Sequence, residues 1–155
     1  MRVDFYLLNE EISEGAHSQS AHQAIFNEHK THFACRLIEK IYLRGHQIFV
    51  YCNTKEEAEN LDEQLWIFKE SSFIPHNLQN EDQDTPPPIQ IGYAHESHGF
   101  SDILLNFSKT TPEFFHHFQR IIEIVPNEES AKRISRLHYQ AYKAKGYLLK
   151  THLTH

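Results

Sequence analysis

The chain is short of glycine, of cysteine and of positive charge, and each shortage closes off a class of function. Five glycines in 155 residues compose neither GxGxxG nor GxxxxGK[ST], so the common loops that cradle phosphates are missing. GxSxG is missing too, and with it the hydrolase nucleophile that such an elbow presents. The two cysteines, Cys35 and Cys52, lie in apolar segments away from any CxxC. They read as small buried hydrophobes in a reducing cytoplasm, not as a disulfide or zinc framework. No apolar run approaches the roughly 18 residues that a membrane span requires, and Met1-Arg2-Val3-Asp4 does not open like a secretory leader. A net charge of −6 argues against broad, direct nucleic-acid binding, which needs a positive surface to displace counterions.

With 39% hydrophobic and 23% charged residues, the composition is that of a soluble globular protein. The length suits one domain, 1–155, with its own core. Val3–Leu8, Ile48–Cys52, Ile89–Tyr93, Asp102–Phe107 and Ile121–Val125 read as strands, the last of these as the final one. Several are continuous apolar runs of the kind buried on both faces. A helix with Phe33, Leu37, Ile38, Ile41 and Tyr42 at helical spacing stops at Gly45. A second, capped by Asn53 or Thr54, turns Ala58, Leu61, Leu65 and Phe68 inward. Thr111-Pro112-Glu113 opens a third as far as Phe118. Residues 9–31 read as a long polar loop with at most one helical turn at Ala21–Phe26, Phe73-Ile74-Pro75 as a short extended piece, Glu81–Pro88 as an acidic loop, and 146–155 as a C-terminal tail. Strands alternating with helices predict a Rossmann-like α/β three-layer sandwich with a largely parallel central sheet.

The final helix, about Asn127–Lys143, carries a distinctive row. With Lys132 at zero and about 100° per residue, Arg136, Tyr139 and Lys143 return to within roughly 40° of it. Ile134, Leu137 and Ala141 fall opposite and read as the buried face. Cations beside one aromatic suit a ligand carrying both carboxylates and an apolar group, such as an acidic peptide tail. Long cations are equally common on a solvated outer face, and the helix alone favours that plainer use. A second cluster is Trp66, on the margin of its helix, followed by Phe73 and Pro75. Its make-up is that of an interface anchor, or of residues that simply close the core.

The 13 histidines raise the question of a metal. His29-x-x-His32, the His95 and His98 pair beside Glu96, and His116-His117 are spacings without a converging ligand set, so no metal site and no cofactor are expected. His76, next to Pro75, has no nucleophile or partner to serve as a general base and reads as a turn histidine capped by the backbone.

Several of these segments resemble one known family. Phe5-Tyr6-Leu7-Leu8, Leu61-Asp62-Glu63-Gln64-Leu65-Trp66, Ser72-Phe73-Ile74-Pro75-His76-Asn77-Leu78, Asp102-Ile103-Leu104-Leu105-Asn106, the Val125-Pro126 exit and the Lys132/Arg136/Tyr139 spacing resemble, in order, the chi subunit of bacterial DNA polymerase III. The resemblance implies a Rossmann-like accessory protein of the clamp loader without catalytic activity or bound nucleotide. It further implies pairing with the psi subunit and a grip on the acidic C-terminal tail of single-stranded-DNA-binding protein, with DNA reached only indirectly. On that resemblance Lys132, Arg136 and Tyr139 are tail-binding positions with Val125 as an apolar floor, and Trp66, Phe73 and Pro75 face psi. The chain departs from the family's pattern in a longer segment from about Gly15 to Thr31, and in Ala94–Phe100, which is nearly devoid of cations. Two rival functions fit less well. A degenerate nucleotide-using enzyme needs a phosphate loop after the first strand, where Asn9-Glu10-Glu11-Ile12 is acidic. A direct single-strand binder working through Tyr139, Tyr142 and the lysines is opposed by the net charge.

Overall fold

A computed structural model describes residues 1–9, 19–69, 73–79, 87–94 and 99–154, without the side chains of 19–26. One seven-stranded sheet organises them: β1 (Arg2–Leu7), β2 (Ile48–Tyr51), β3 (His76–Leu78), β4 (Ile89–Gly92), β5 (Ile103–Asn106), β6 (Arg120–Val125) and β7 (Leu148–Leu153). Their spatial order is β3-β4-β2-β5-β6-β1-β7, and every neighbouring pair is parallel. Helices α1 (Gln19–Leu43), α2 (Lys55–Ile67) and α3 (Glu129–Ala144) flank the sheet, with a 3-10 turn at Glu113–His117. Strand β5 is buried along its whole length and β2 nearly so, which is why their apolar runs do not alternate. Two cores result. Leu37, Ile38, Leu61, Leu65, Val50 and Ile122 pack on the α1/α2 side, and Phe5, Phe49, Leu104, Phe118, Tyr142 and Tyr147 on the α3 side.

Local chemistry sets the helix ends. Gly45, at φ 87°, carries α1 into its left-handed stop and donates to the Tyr42 carbonyl at 2.9 Å. In α2 the Thr54 hydroxyl accepts from Glu57 N–H at 3.2 Å while the Glu57 carboxylate accepts from Asn53 N–H at 3.0 Å. Thr54 is thus the N-cap, and Glu57 ties back the residue that precedes it.

Five expectations need correction. Residues 19–31 are helix, not loop: once the Phe33–Tyr42 segment is nucleated by burial, propagation through Gln, Ala, His and Asn adds one hydrogen bond per residue. What precedes Gln19, from residue 10, lies outside the described residues, as does the acidic stretch 80–86. Residues 146–155 are not a tail: Leu148–Leu153 form an edge strand beside β1 in register from Arg2↔Leu148 to Leu7↔Leu153. Ile121–Val125 is therefore not the last strand, and β7 escaped because an exposed edge shows no clean apolar pattern. His76 is no turn residue but begins β3, where the backbone holds it: its ring nitrogens lie 2.6 Å from the Ile74 carbonyl and 3.1 Å from that of Asp62.

Finally, α3 buries His138 and Tyr142, not an Ile/Leu/Ala face, and Leu137 is 68% exposed. On the same helical wheel the buried centre lies at about 260° from Lys132 rather than 180°. The cause is the β6 residue Glu123, 5% exposed. A buried carboxylate must be met by donors, and His138 and Tyr142 supply them.

Candidate functional site

The rotation of α3 decides what its cationic row can do. Lys132 and Tyr139 become half-buried on the flank that overhangs β1 and β7, while Arg136 and Lys143 stay exposed. Phe5, Leu7 and Thr151 floor a groove of about 300 Å³ under Lys132, Arg136 and Tyr139. Tyr139 packs on Phe5 with ring centroids 5.6 Å apart. Arg136 reaches the exposed carboxylate of Glu129 only at 3.9 Å, a contact worth little in water, so its guanidinium is available to a ligand. Two cations over an apolar floor can hold a carboxylate and an adjoining hydrophobic side chain together. Val125 does not line this groove. It is 3% exposed at the end of β6 and borders a separate cavity under α3.

That second cavity, about 200 Å³ at the carboxyl ends of β2, β5 and β6, holds a network that sequence reasoning missed. Glu123 accepts from His138 Nδ1 at 3.1 Å, from the Tyr142 hydroxyl at 2.5 Å and from Asn106 Nδ2 at 2.8 Å. His138 Nε2 lies 3.0 Å from the Lys109 carbonyl. Burial alone would lower the pKa of His138, but the hydrogen bond and charge of Glu123 outweigh it and raise it above the ordinary histidine value. Burial first, and then Glu123, push Tyr142 well up. Beside them burial lowers the pKa of Lys30, whose ammonium donates to the Phe107 carbonyl at 3.0 Å and sits 4.1 Å from the centre of the Phe107 ring. These groups satisfy one another, the pattern of a buried structural network. The signal was a lone carboxylate inside the apolar run Ile121-Ile122-Glu123-Ile124-Val125.

At the far edge of the sheet, Trp66 (49% exposed) and Phe73 (70% exposed) meet with centroids 5.6 Å apart. Trp66 also covers His76 at 4.3 Å. Pro75 is half-buried, and Ile67 is exposed on the same helix end. Because β3 and β7 are the two edges and the groove lies over β1 and β7, the patch and the α3 groove are separated by five to six interstrand gaps, about 24–29 Å at the usual spacing.

The histidines play local parts. His116 lies 2.7 Å from the Glu113 carbonyl, and no three His, Cys, Asp or Glu side chains converge among the described residues. His95 and His98 lie outside them. Burial pushes the Cys35 thiol up to about 12, and the Cys52 thiol upward as well, so both are packing residues rather than nucleophiles. No helix among the described residues is long and apolar enough to cross a membrane.

Fold and surface together define a parallel, Rossmann-like α/β protein whose open features are a cationic groove and an aromatic patch at opposite sheet edges. A family model described as DNA polymerase III chi subunit, HolC, matches residues 1–150. Among similar proteins, the DNA polymerase III subunit chi of Pseudomonas aeruginosa is 34% identical over 119 residues, 77% of this chain and 82% of that one. Its namesake in Haemophilus influenzae is 32% identical over 76% of this chain and 83% of its own. The one in Escherichia coli is 30% identical over 76% and 80%. The chain belongs to the DNA polymerase III chi subunit family.

Proposed function

We propose that this chain is a non-catalytic accessory subunit of the replicative DNA polymerase III holoenzyme, working in the cytoplasm. It links the clamp loader, through the psi subunit, to the acidic C-terminal tail of single-stranded-DNA-binding protein. The observation that carries the reading is the groove: Lys132 and Arg136 stand over an apolar floor of Phe5 and Leu7, walled by Tyr139. That chemistry matches a peptide ending in a carboxylate and a hydrophobic side chain. Trp66, Phe73 and Pro75 then serve as the psi-facing anchor, since exposed aromatic pairs of this kind mark partner surfaces.

Titration of a labelled tail peptide tests the groove. Arg136→Lys keeps the charge but loses the planar fork, so it weakens binding. Arg136→Ala costs on the order of 2 kcal/mol, as for a partly desolvated charge-assisted contact. Amidating the terminal carboxylate weakens the wild-type complex and matters less to the Arg136 variants. Unchanged affinity in folded Arg136→Ala means that the row is only a solvated face.

A further inference from the structure

The side of β1 and β7 opposite the α3 groove carries a second cationic surface, assembled from residues far apart in the chain. Parallel register puts Arg2, Asp4 and Tyr6 of β1 beside Leu148, Lys150 and His152 of β7, and Arg120 of β6 beside Arg2. The α1 flank facing them presents Phe33, Arg36 and Lys40, spaced to recur on one side of a helix, and Arg44 just past its end. Asp4 is 1% exposed and already committed: it accepts from Arg120 Nε at 2.7 Å, Arg2 Nε at 3.0 Å and His152 Nε2 at 2.8 Å. The acid at the lower margin, Asp102, is held by His46 and by Gln47 N–H at 3.0 Å each. Lys40, Arg44, Arg120 and His46 line a small cleft of about 80 Å³, and Lys150 is exposed on the β7 edge opposite Asp4.

Aromatic rings run through these cations. Tyr6 stacks on His152 at 4.7 Å and 18° and meets Phe33 at 5.6 Å, over which the Arg36 guanidinium lies at 5.8 Å. Half-buried rings interleaved with cations along one groove are the arrangement that holds a nucleic-acid strand without reading its sequence, phosphates on the cations and bases on ring faces. Tyr6 and Phe33 are half-buried against the α1/α2 core, and an acidic peptide would satisfy the cations without using the part of these rings that stays open. In a chain of net charge −6, such a local concentration is not a by-product of a basic composition. We propose that this surface, the cleft between the end of α1 and strands β1 and β6 with the adjoining β7 edge, binds single-stranded nucleic acid through its backbone. The strand would then lie back to back with the α3 groove, across β1 and β7.

A fluorescein-labelled oligothymidylate of about 20 nucleotides, a length that covers one such groove, tests this by anisotropy against the full chain in low salt. Lys40→Glu/Arg44→Glu changes only exposed side chains and should weaken binding at least about tenfold. It should also flatten the dependence of log K on log salt by about 1.4, two lost phosphate contacts at roughly 0.7 each. A second variant, Arg36→Glu/Lys150→Glu, should act in the same direction. Lys132→Ala/Arg136→Ala, on the other face, should leave oligonucleotide affinity unchanged. The proposal is overturned if the wild type does not bind at low salt, or if both groove variants bind like it. It is equally overturned if the Lys132/Arg136 variant alone loses affinity, or if polyglutamate displaces the oligonucleotide at equal phosphate and carboxylate concentration.

Discussion

Replacing Tyr142 by Phe isolates the network that fixes how α3 is rotated. The side chain is fully buried, and its ring packs between Phe5, Phe115 and Tyr147. Phe therefore keeps the volume and opens no cavity. What goes is the hydroxyl, which donates to Glu123 at 2.5 Å and lies 3.2 Å from Asn106 Nδ2. Glu123 would retain His138 and Asn106, so it is weakened rather than stranded. A hydrogen bond to a charged group is worth about 1.5–3 kcal/mol net, and removing the buried hydroxyl refunds part of its own desolvation, leaving a cost of about 2 kcal/mol. At this size that lowers Tm by roughly 4–8 °C. Urea and thermal unfolding at neutral pH measure the cost, and Glu123→Gln, alone and combined with Tyr142→Phe, gives the coupling. Tail-peptide affinity should stay unchanged if Tyr142→Phe leaves the flank in place. A loss below about 0.5 kcal/mol, the range of ordinary surface changes, would refute the idea that Glu123 holds the helix through this hydroxyl.

The raised pKa of His138 gives its pairing a definite pH window. The contribution is full below the unfolded value of about 6.5 and disappears as pH rises through the higher folded value. The stability gap between wild type and His138→Gln should thus be larger at pH 6 than at pH 9, and a gap independent of pH contradicts the pairing. Gly92→Ala tests packing at the end of β4. A Cβ there would stand 2.7 Å from Phe49 Cζ and press on Gln79 Oε1, and Phe49 is fully buried. Overpacking of this kind costs about 1–3 kcal/mol, more than the small gain that Gly→Ala brings through the unfolded chain, so denaturant titration should show net destabilisation.

The legible parts of the fold were those where one physical effect dominated. Ile48–Tyr51 and Ile103–Asn106 are strands buried on both faces, and their unbroken apolar runs say so directly. The Thr54 cap and Gly45 are local signals that tertiary contacts did not override. The beginning of α1 was not legible because a polar sequence extends a helix whose nucleus lies downstream. Strands β3 and β7 are short or exposed edges, whose pairing depends on β4 and β1 and not on their own pattern. The groove was half legible. The spacing of Lys132, Arg136 and Tyr139 put them on one side of a helix, but hydropathy placed Leu137 inside, gave His138 no role and read Tyr142 as a surface residue. A buried polar contact outweighed the apolar stripe, and nothing local in α3 announces Glu123.

The central claim is that one chain bridges two partners through surfaces at opposite edges of its sheet, and a three-component titration tests it most directly. A labelled tail peptide of single-stranded-DNA-binding protein is titrated against this chain alone and against its complex with the psi subunit. The account predicts equal affinity in both, since about 24–29 Å of sheet separates the groove from the Trp66/Phe73 patch. It also predicts one species containing all three components, from which Trp66→Ala/Phe73→Ala removes psi and Arg136→Ala removes the peptide. Displacement of the peptide by psi, or loss of both partners from either variant while the fold is intact, would contradict the account.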